Sequence, residues 1–384
     1  ADIRQYVTKD EVITAYETAR AAAAVGTEIT ALTDFTAMAK ADRDLIVAQL
    51  DAGVAAKLID PDNPNFGPKA NQLVHTVGRA EHGRKEFTDR FFGDYYGTYN
   101  LRNDHTDICE LPRHDATVLI RKKTKAPADY PNSEFVIFFG SSRLEAGFPF
   151  QAAARKVIRG INDGNLKIAV VDPRFSVTAS KGDWYPIIPG TDGALAMGML
   201  RHMIENSLYD VEYCKNATYA AASADSEATW CDATYLVRDD DGKFLKPADA
   251  GLSVPADATG KYVIWDGTAA KAVYLPDGEK YKMAIEDGTE HGTIEYTGTV
   301  NAIPVKSSFT LLKAAAQQKT IAEYATACGL TEAQITGLAV EFTSHGKKAV
   351  VEYYRGVAQH TNGLHSAFAL GTLNTIIGNS DHRG

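Results

Sequence analysis

The sequence predicts an α/β fold, a parallel sheet carrying an antiparallel β-hairpin insertion, and three observations predict it. The apolar runs Phe135 to Phe139 and Ile168 to Val171 read as strands buried on both faces. Helix-length stretches alternate with them, the pattern of a parallel sheet. Each run ends in a polar turn bearing glycine or proline, where open parallel sheets take their ligands.

In chain order, residues 9–24 and 35–57 read as helices from apolar spacings of three and four. The breaker-rich segment Pro61 to Pro68 is a loop, 83–92 a further helix, and Phe92 to Asn100 an aromatic, glycine-containing loop. The strand Phe135–Phe139 ends at Gly140-Ser141-Ser142, and a helix over 149–160 follows. The second strand ends at Asp172-Pro173-Arg174. A third, Tyr185 to Ile188, ends at Pro189-Gly190-Thr191-Asp192 before a helix over 192–206. From 215 to 305 the turn signals Asp241-Gly242, Pro276-Asp277-Gly278 and Asp287-Gly288 separate short strand-like pieces, which reads as inserted hairpins. Helices over 307–327 and 331–344 come next, the second with Thr331 and Gln334 spaced for a capping box. The strand Ala349–Tyr353 leads to Arg355-Gly356, and a last apolar helix covers 364–377.

The totals narrow the function. At 384 residues and 45% hydrophobic, the chain can bury more than one core, and two domains are expected. A net charge of −9 with no long basic run argues against nucleic acid. No run of eighteen apolar residues is present, so no membrane span is expected. Four scattered cysteines without a CxxC do not make a disulfide scaffold. The chain starts at Ala1 and stops just after an apolar stretch, and is expected to be a fragment of a longer polypeptide.

The three strand-end turns form one constellation. Helix amino termini there offer free N–H groups to a pyrophosphate. A carboxylate such as Asp172 or Asp192 can accept two hydrogen bonds from guanine, which adenine cannot give in pair, so guanosine is preferred. The absence of GxGxxG argues against an ordinary nicotinamide site. Taken singly, each turn is better explained as an ordinary strand-end turn with an N-cap; together, the three are harder to dismiss.

These residues also resemble a family. Phe138 to Ala146 resembles the "WGSNPxEA" turn of the dimethyl sulfoxide reductase family of molybdopterin oxidoreductases, and Val170 through Asp192 resembles its "VVDPR…PGTD" pair. Arg355 to Gly363, with Leu373 and Gly378-Asn379, resembles its "GxxQHxNG…L…GN" segment. Asn65 to Leu73, Gly83 to Phe87, His105 to Cys109 and Glu341 to Lys347 are similar to the tetrathionate reductases within it; respiratory arsenate reductases share the His-x-x-x-Cys spacing.

The resemblance implies Rossmann-like pterin- and nucleotide-binding domains, as a fragment of a four-domain molybdoenzyme. It implies one discontinuous α/β domain from 1–104 and 306–384, and a pterin guanine dinucleotide-binding domain over 105–305 with the insertion at 215–305. The implied cofactor is bis(molybdopterin guanine dinucleotide) with molybdenum, held by Gly140, Ser141, Ser142, Glu145, Asp172, Pro173, Arg174, Gly190, Thr191, Asp192, Arg355, Gly356, His360 and Asn362. An iron–sulfur cluster is expected only in an amino-terminal domain that has no counterpart here. The implied activity is two-electron reduction of tetrathionate to thiosulfate in anaerobic respiration. Arsenate, polysulfide or another sulfur oxyanion is the alternative. The implied partners are a quinol-oxidising membrane subunit with an iron–sulfur electron-transfer subunit, on the periplasmic side. A reading of another class is a cofactor-free, non-catalytic nucleotide-binding fragment, and this fragment alone is expected to be inactive.

Cys109 stands where the resemblance puts the protein ligand to molybdenum, and a thiolate suits a metal held by dithiolene sulfurs. His105 and Arg113 nearby would favour the thiolate, and with His114 they are the expected catalytic residues. On the residues alone, a buried structural cysteine is the simpler reading of Cys109, and zinc on His105, Cys109 and His114 a remote one.

Overall fold

The computed structural model describes residues 62–66, 69–76, 83–102, 110–123, 126–146, 150–275, 284–285 and 291–384. The helices expected over 9–24 and 35–57 lie outside these residues. The chain divides into two compact units, 1–106 and 107–384.

In the first unit, single turns at Pro64–Phe66 and Lys69–Gln72 precede β1 (His75–Thr76), which pairs in parallel with β2 (Leu101–Arg102). Helix α1 (Gly83–Thr88) runs on as a wider π-helical stretch, Asp89–Tyr96, so the helix extends into the expected aromatic loop. Phe87, Phe91 and Tyr95 explain this: four residues apart, their rings stack with centroids 6.1 and 5.9 Å apart. Gly97, at φ 88°, ends the stretch with its N–H on the Phe92 carbonyl.

The second unit opens with α2 (Leu111–Arg121) and then builds the sheet from β3 (Phe135–Phe139), β4 (Lys167–Val171) and β5 (Asp183–Tyr185). Helix α3 (Phe150–Asn162) connects the first two strands. The expected strand Tyr185–Ile188 lies earlier in the chain, because Pro186 has no N–H for the ladder and Ile188 donates instead to the Cys328 carbonyl. Next come α4 (Asp192–Glu205) and the short helices α5 (Val211–Cys214) and α6 (Tyr219–Ala224).

The insertion is antiparallel, as expected. One sheet joins β6 (Leu236–Arg238) to a later hairpin, and another joins β7 (Thr259–Trp265), β8 (Ala270–Leu275) and β9 (Ala284–Ile285). The later hairpin is β10 (Thr297–Val300) and β11 (Ile303–Ser307).

The single helix expected over 307–327 is two, α7 (Ser308–Ala316) and α8 (Ile321–Cys328), because Thr320 forms a capping box with Glu323 and starts a new helix. Helix α9 (Glu332–Ser344) has the expected Thr331/Gln334 capping box. β12 (Ala349–Tyr353), α10 (Arg355–Ala358) and α11 (Gly363–Ile376) complete the chain.

The central sheet has order β12-β3-β4-β5, all parallel. Residues 306–384, grouped from the sequence with 1–104, thus supply its first strand, inside the unit 107–384. Every side chain of β3 is buried. Phe135, Ile137 and Phe139 share a core with Met199 of α4, Phe342 of α9 and Leu373 of α11. Val136 and Phe138 face Val157 of α3 on the other side. Two amides cover the outer edge of β12: Asn374 both donates to the Val351 carbonyl and accepts from its N–H, each at 2.8 Å, and Asn379 donates to the Ala349 carbonyl.

Candidate functional site

Register places the site. Tyr353, Phe139, Val171 and Tyr185 pair in one row across the sheet, so the chain leaves all four strands at one level. Strands β4 and β5 lie on one side of β3 and β12 on the other, which makes the β3–β12 boundary the topological switch point.

At that boundary two backbones touch. Gly140, at φ 52°, donates to the Val171 carbonyl and accepts from the Gly356 N–H at 3.0 Å. A Cβ on Gly140 would lie 2.7 Å from the Gly356 Cα, and one on Gly356 2.5 Å from the Gly140 Cα. Only glycine fits either place.

The turn after Gly140 is tied to the turn after β4. The Ser142 hydroxyl donates to Glu145 at 2.7 Å and lies 2.9 Å from the Thr178 hydroxyl, and Arg174 donates to Glu145 at 2.8 Å. Ser142 first, and Arg174 after it, hold the Glu145 carboxyl below the usual carboxylate range. Asp172 accepts the Arg174 N–H, and its carbonyl accepts the Trp184 indole N–H, each at 2.8 Å. Pro173 lies between them on the exposed rim.

The third turn meets the chain after β12. The Asn362 side chain donates to the Gly190 carbonyl at 2.8 Å, and His360 lies against Gly190, which has φ 79°. The Thr191 hydroxyl donates to the Ile188 carbonyl at 2.6 Å. Asp192 opens α4 with its side chain buried, and burial pushes its carboxyl up to about 6.

Under this rim lies a cluster that joins the expected Arg113, His114 and Arg355 to residues sequence reasoning missed, Tyr130, Arg143, Glu352 and Tyr354. Arg113, Arg143 and Arg355 each sit 5.1 Å from the centre of the Tyr354 ring. Buried Arg143 is paired with buried Glu352, which also accepts from the Tyr130 hydroxyl. Arg113 donates to buried Glu110 at 2.9 Å, and His114 Nε2 lies 3.2 Å from the other oxygen of that carboxylate. The cluster thus holds three guanidiniums against two carboxylates. Ser141 Oγ and Arg143 Nε are buried without a hydrogen-bond partner. One signal could have found it: Glu352 interrupts an apolar strand, and a buried carboxylate requires a cationic partner.

His105 and Cys109 lie outside the described residues, so the expected metal ligand has no described position. Arg113 and His114, four and five residues beyond Cys109 in the sequence, stand on the first turn of α2.

The chemistry of the donors fits a large anionic cofactor. A paired-glycine crossing, orphaned polar atoms, spare cationic charge and a buried carboxylate collect along one edge of the sheet. A hollow of about 530 Å³ lined by Glu134, Lys167, His345 and Lys348 lies at the opposite, amino edge and has no part in it.

A profile of the molybdopterin oxidoreductase family matches residues 82–384. This chain belongs to that family. A selenate reductase subunit of Mesobacillus selenatarsenatis is 39% identical over 342 residues, covering 85% of this chain and 31% of its own length. A tetrathionate reductase subunit of Salmonella typhimurium is 33% identical, covering 84% of this chain and 31% of its own. The corresponding tetrathionate reductase subunit of Archaeoglobus fulgidus is 30% identical, covering 85% and 28%. The chain therefore spans about a third of the length of these relatives. Family membership implies a molybdopterin carrying molybdenum. No helix of the described residues is long and apolar enough to cross a membrane.

Proposed function

We propose that the protein containing this chain is a molybdenum reductase that adds two electrons to a chalcogen oxyanion, cleaving tetrathionate to two thiosulfates in anaerobic respiration. The observation that carries this reading is the trio Arg113, Arg143 and Arg355 around Tyr354 at the switch point. A dianion gains most where cationic charge outnumbers carboxylates, and here Arg113 and Arg143 are buried while Arg355 is exposed at the rim. Arg113 and Arg355 would neutralise the anion and the charge that grows on the departing thiosulfate, with His105 and His114 as further donors. Glu352 would hold Arg143 in place. The higher identity to the selenate reductase favours selenate as a second reading.

The cofactor is proposed to be bis(molybdopterin guanine dinucleotide), with Cys109 as protein ligand to the metal. When bound, it would supply the electron pair. The Gly140–Ser142 turn and Arg174 would take phosphate oxygens, and Asp172 and Asp192 would accept the guanine N–H groups. A quinol-oxidising membrane subunit would deliver electrons through an iron–sulfur subunit, on the periplasmic side.

Assay of the full-length enzyme with tetrathionate, selenate and arsenate tests the proposal, and turnover of tetrathionate is the expected outcome. Selenate turnover alone would move the assignment to the second reading, and activity on neither dianion would overturn both. Molybdenum analysis separates an enzyme core from a cofactor-free fragment: Cys109→Ser should lower the metal content of the full-length protein. Arg113→Ala should raise the KM for the anion about tenfold or more, the cost of one lost charge-assisted contact.

A further inference from the structure

Away from the site, two cysteines seventeen residues apart share one buried spot. Cys214 ends α5, and Cys231 lies just ahead of β6, on the way into the inserted sheets. The two segments run side by side. The Tyr213 hydroxyl lies 3.2 Å from the Thr229 hydroxyl, the Cys231 thiol points at the Cys214 carbonyl at 3.9 Å, and the Cys214 thiol points at the Ile376 carbonyl of α11 at 3.7 Å. Both belong to the main hydrophobic core, among Tyr213, Ile376 and Ile377. Contact between the two thiols, and burial after it, push the Cys214 thiol well up. Among the described residues Cys328 has no such neighbour; its thiol points back at the Ala325 carbonyl of its own helix.

We propose that Cys214 and Cys231 form a built site of oxidative cross-linking, a disulfide that fastens the start of the insertion to α5 and so to the end of α11. The step is a thiol–disulfide exchange with a disulfide-bearing oxidant. The two thiols lose two protons and two electrons as the new S–S bond forms, and the oxidant's S–S bond breaks to give two thiols. The thiolate is the attacking species, and a buried, raised thiol supplies little of it at neutral pH. Bridging is therefore faster while the chain folds than after it has closed. This inference is independent of the proposed substrate.

The test uses the full chain, refolded in a series of oxidised to reduced glutathione ratios, quenched with acid, alkylated under non-reducing denaturing conditions and digested with trypsin. The expected product joins the peptide 202–215 to the peptide 216–238, while Cys109 and Cys328 carry alkyl groups. Refolding should give the bridge sooner than treatment of the folded chain. The bridged chain should melt higher than the reduced one by about 5 °C, the size for a short closed loop, and Cys231→Ala should abolish that difference. Full alkylation of Cys214 and Cys231 across the whole series, or bridging of either to Cys328 instead, would overturn the proposal.

Discussion

At the scale of single residues, Asp192 has the sharpest consequence. Its carboxyl titrates at about 6 because it is buried, against an ordinary 3.8. A carboxyl raised on folding costs the native state nothing below about pH 4. The cost grows between about pH 4 and 6, where the unfolded chain ionises this carboxyl and the folded chain still holds its proton, and is constant above that. Asp192→Asn should therefore stabilise the cofactor-free chain at pH 8 by up to about 3 kcal/mol, the value of two pH units, with the gain fading towards pH 4. Urea melts followed by the fluorescence of Trp184, Trp230 and Trp265 would measure it, and a gain independent of pH would contradict the assignment. A guanine donating two N–H groups would reverse the sign, because it favours the charged carboxylate. Glu352 makes the opposite point. Glu352→Gln would leave the Arg143 charge buried and unpaired, at a cost of about 3–5 kcal/mol, read from the same melts.

At the scale of elements, the edge of β12 depends on one amide. Asn374 serves both the N–H and the C=O of Val351, a buried residue. Asn374→Leu keeps the volume and removes both partners, so it should cost about 2–4 kcal/mol, seen as a lower denaturation midpoint with an unchanged slope. Strands β3 and β12 and the capping box of α9 were legible in the sequence, because apolar runs between polar turns and a Thr-x-x-Gln spacing are local signals. The break at Thr320 and the early end of β5 at Tyr185 were not. Each is decided by a competing local partner, Glu323 for Thr320 and the missing N–H of Pro186, inside a pattern that otherwise continues. That the three strand-end turns gather at one edge of the sheet was legible too. Of the cluster around Tyr354, Arg113 and Arg355 were legible, but Arg143, Glu352 and Tyr130 were not, because they meet only through the pairing of β3 with β12.

At the scale of the whole molecule, function is expected at one edge of the central sheet only. The carboxyl edge carries the turns and the guanidinium cluster. The amino edge carries exposed pairs such as Lys348 with Glu134 and Lys167 with Glu341. Lys348→Ala in the full-length enzyme should change kcat/KM less than about twofold and stability by under about 1 kcal/mol, since solvent screens such a pair. A large loss of turnover would mean that the amino edge also takes part.

The pairing of β12 with β3 also fixes an order of events on the ribosome. The Lys348–Glu134 bond beside these strands joins positions 214 residues apart in the chain. When β3 emerges, one flank of Phe135–Phe139 has no partner until the whole insertion and three further helices have been translated. A nascent chain halted before residue 349 would display an apolar, unpaired strand, the kind of surface that recruits chaperones or self-associates. Closure of the switch point must accordingly wait for translation to pass β12, which makes that strand the timer of its assembly.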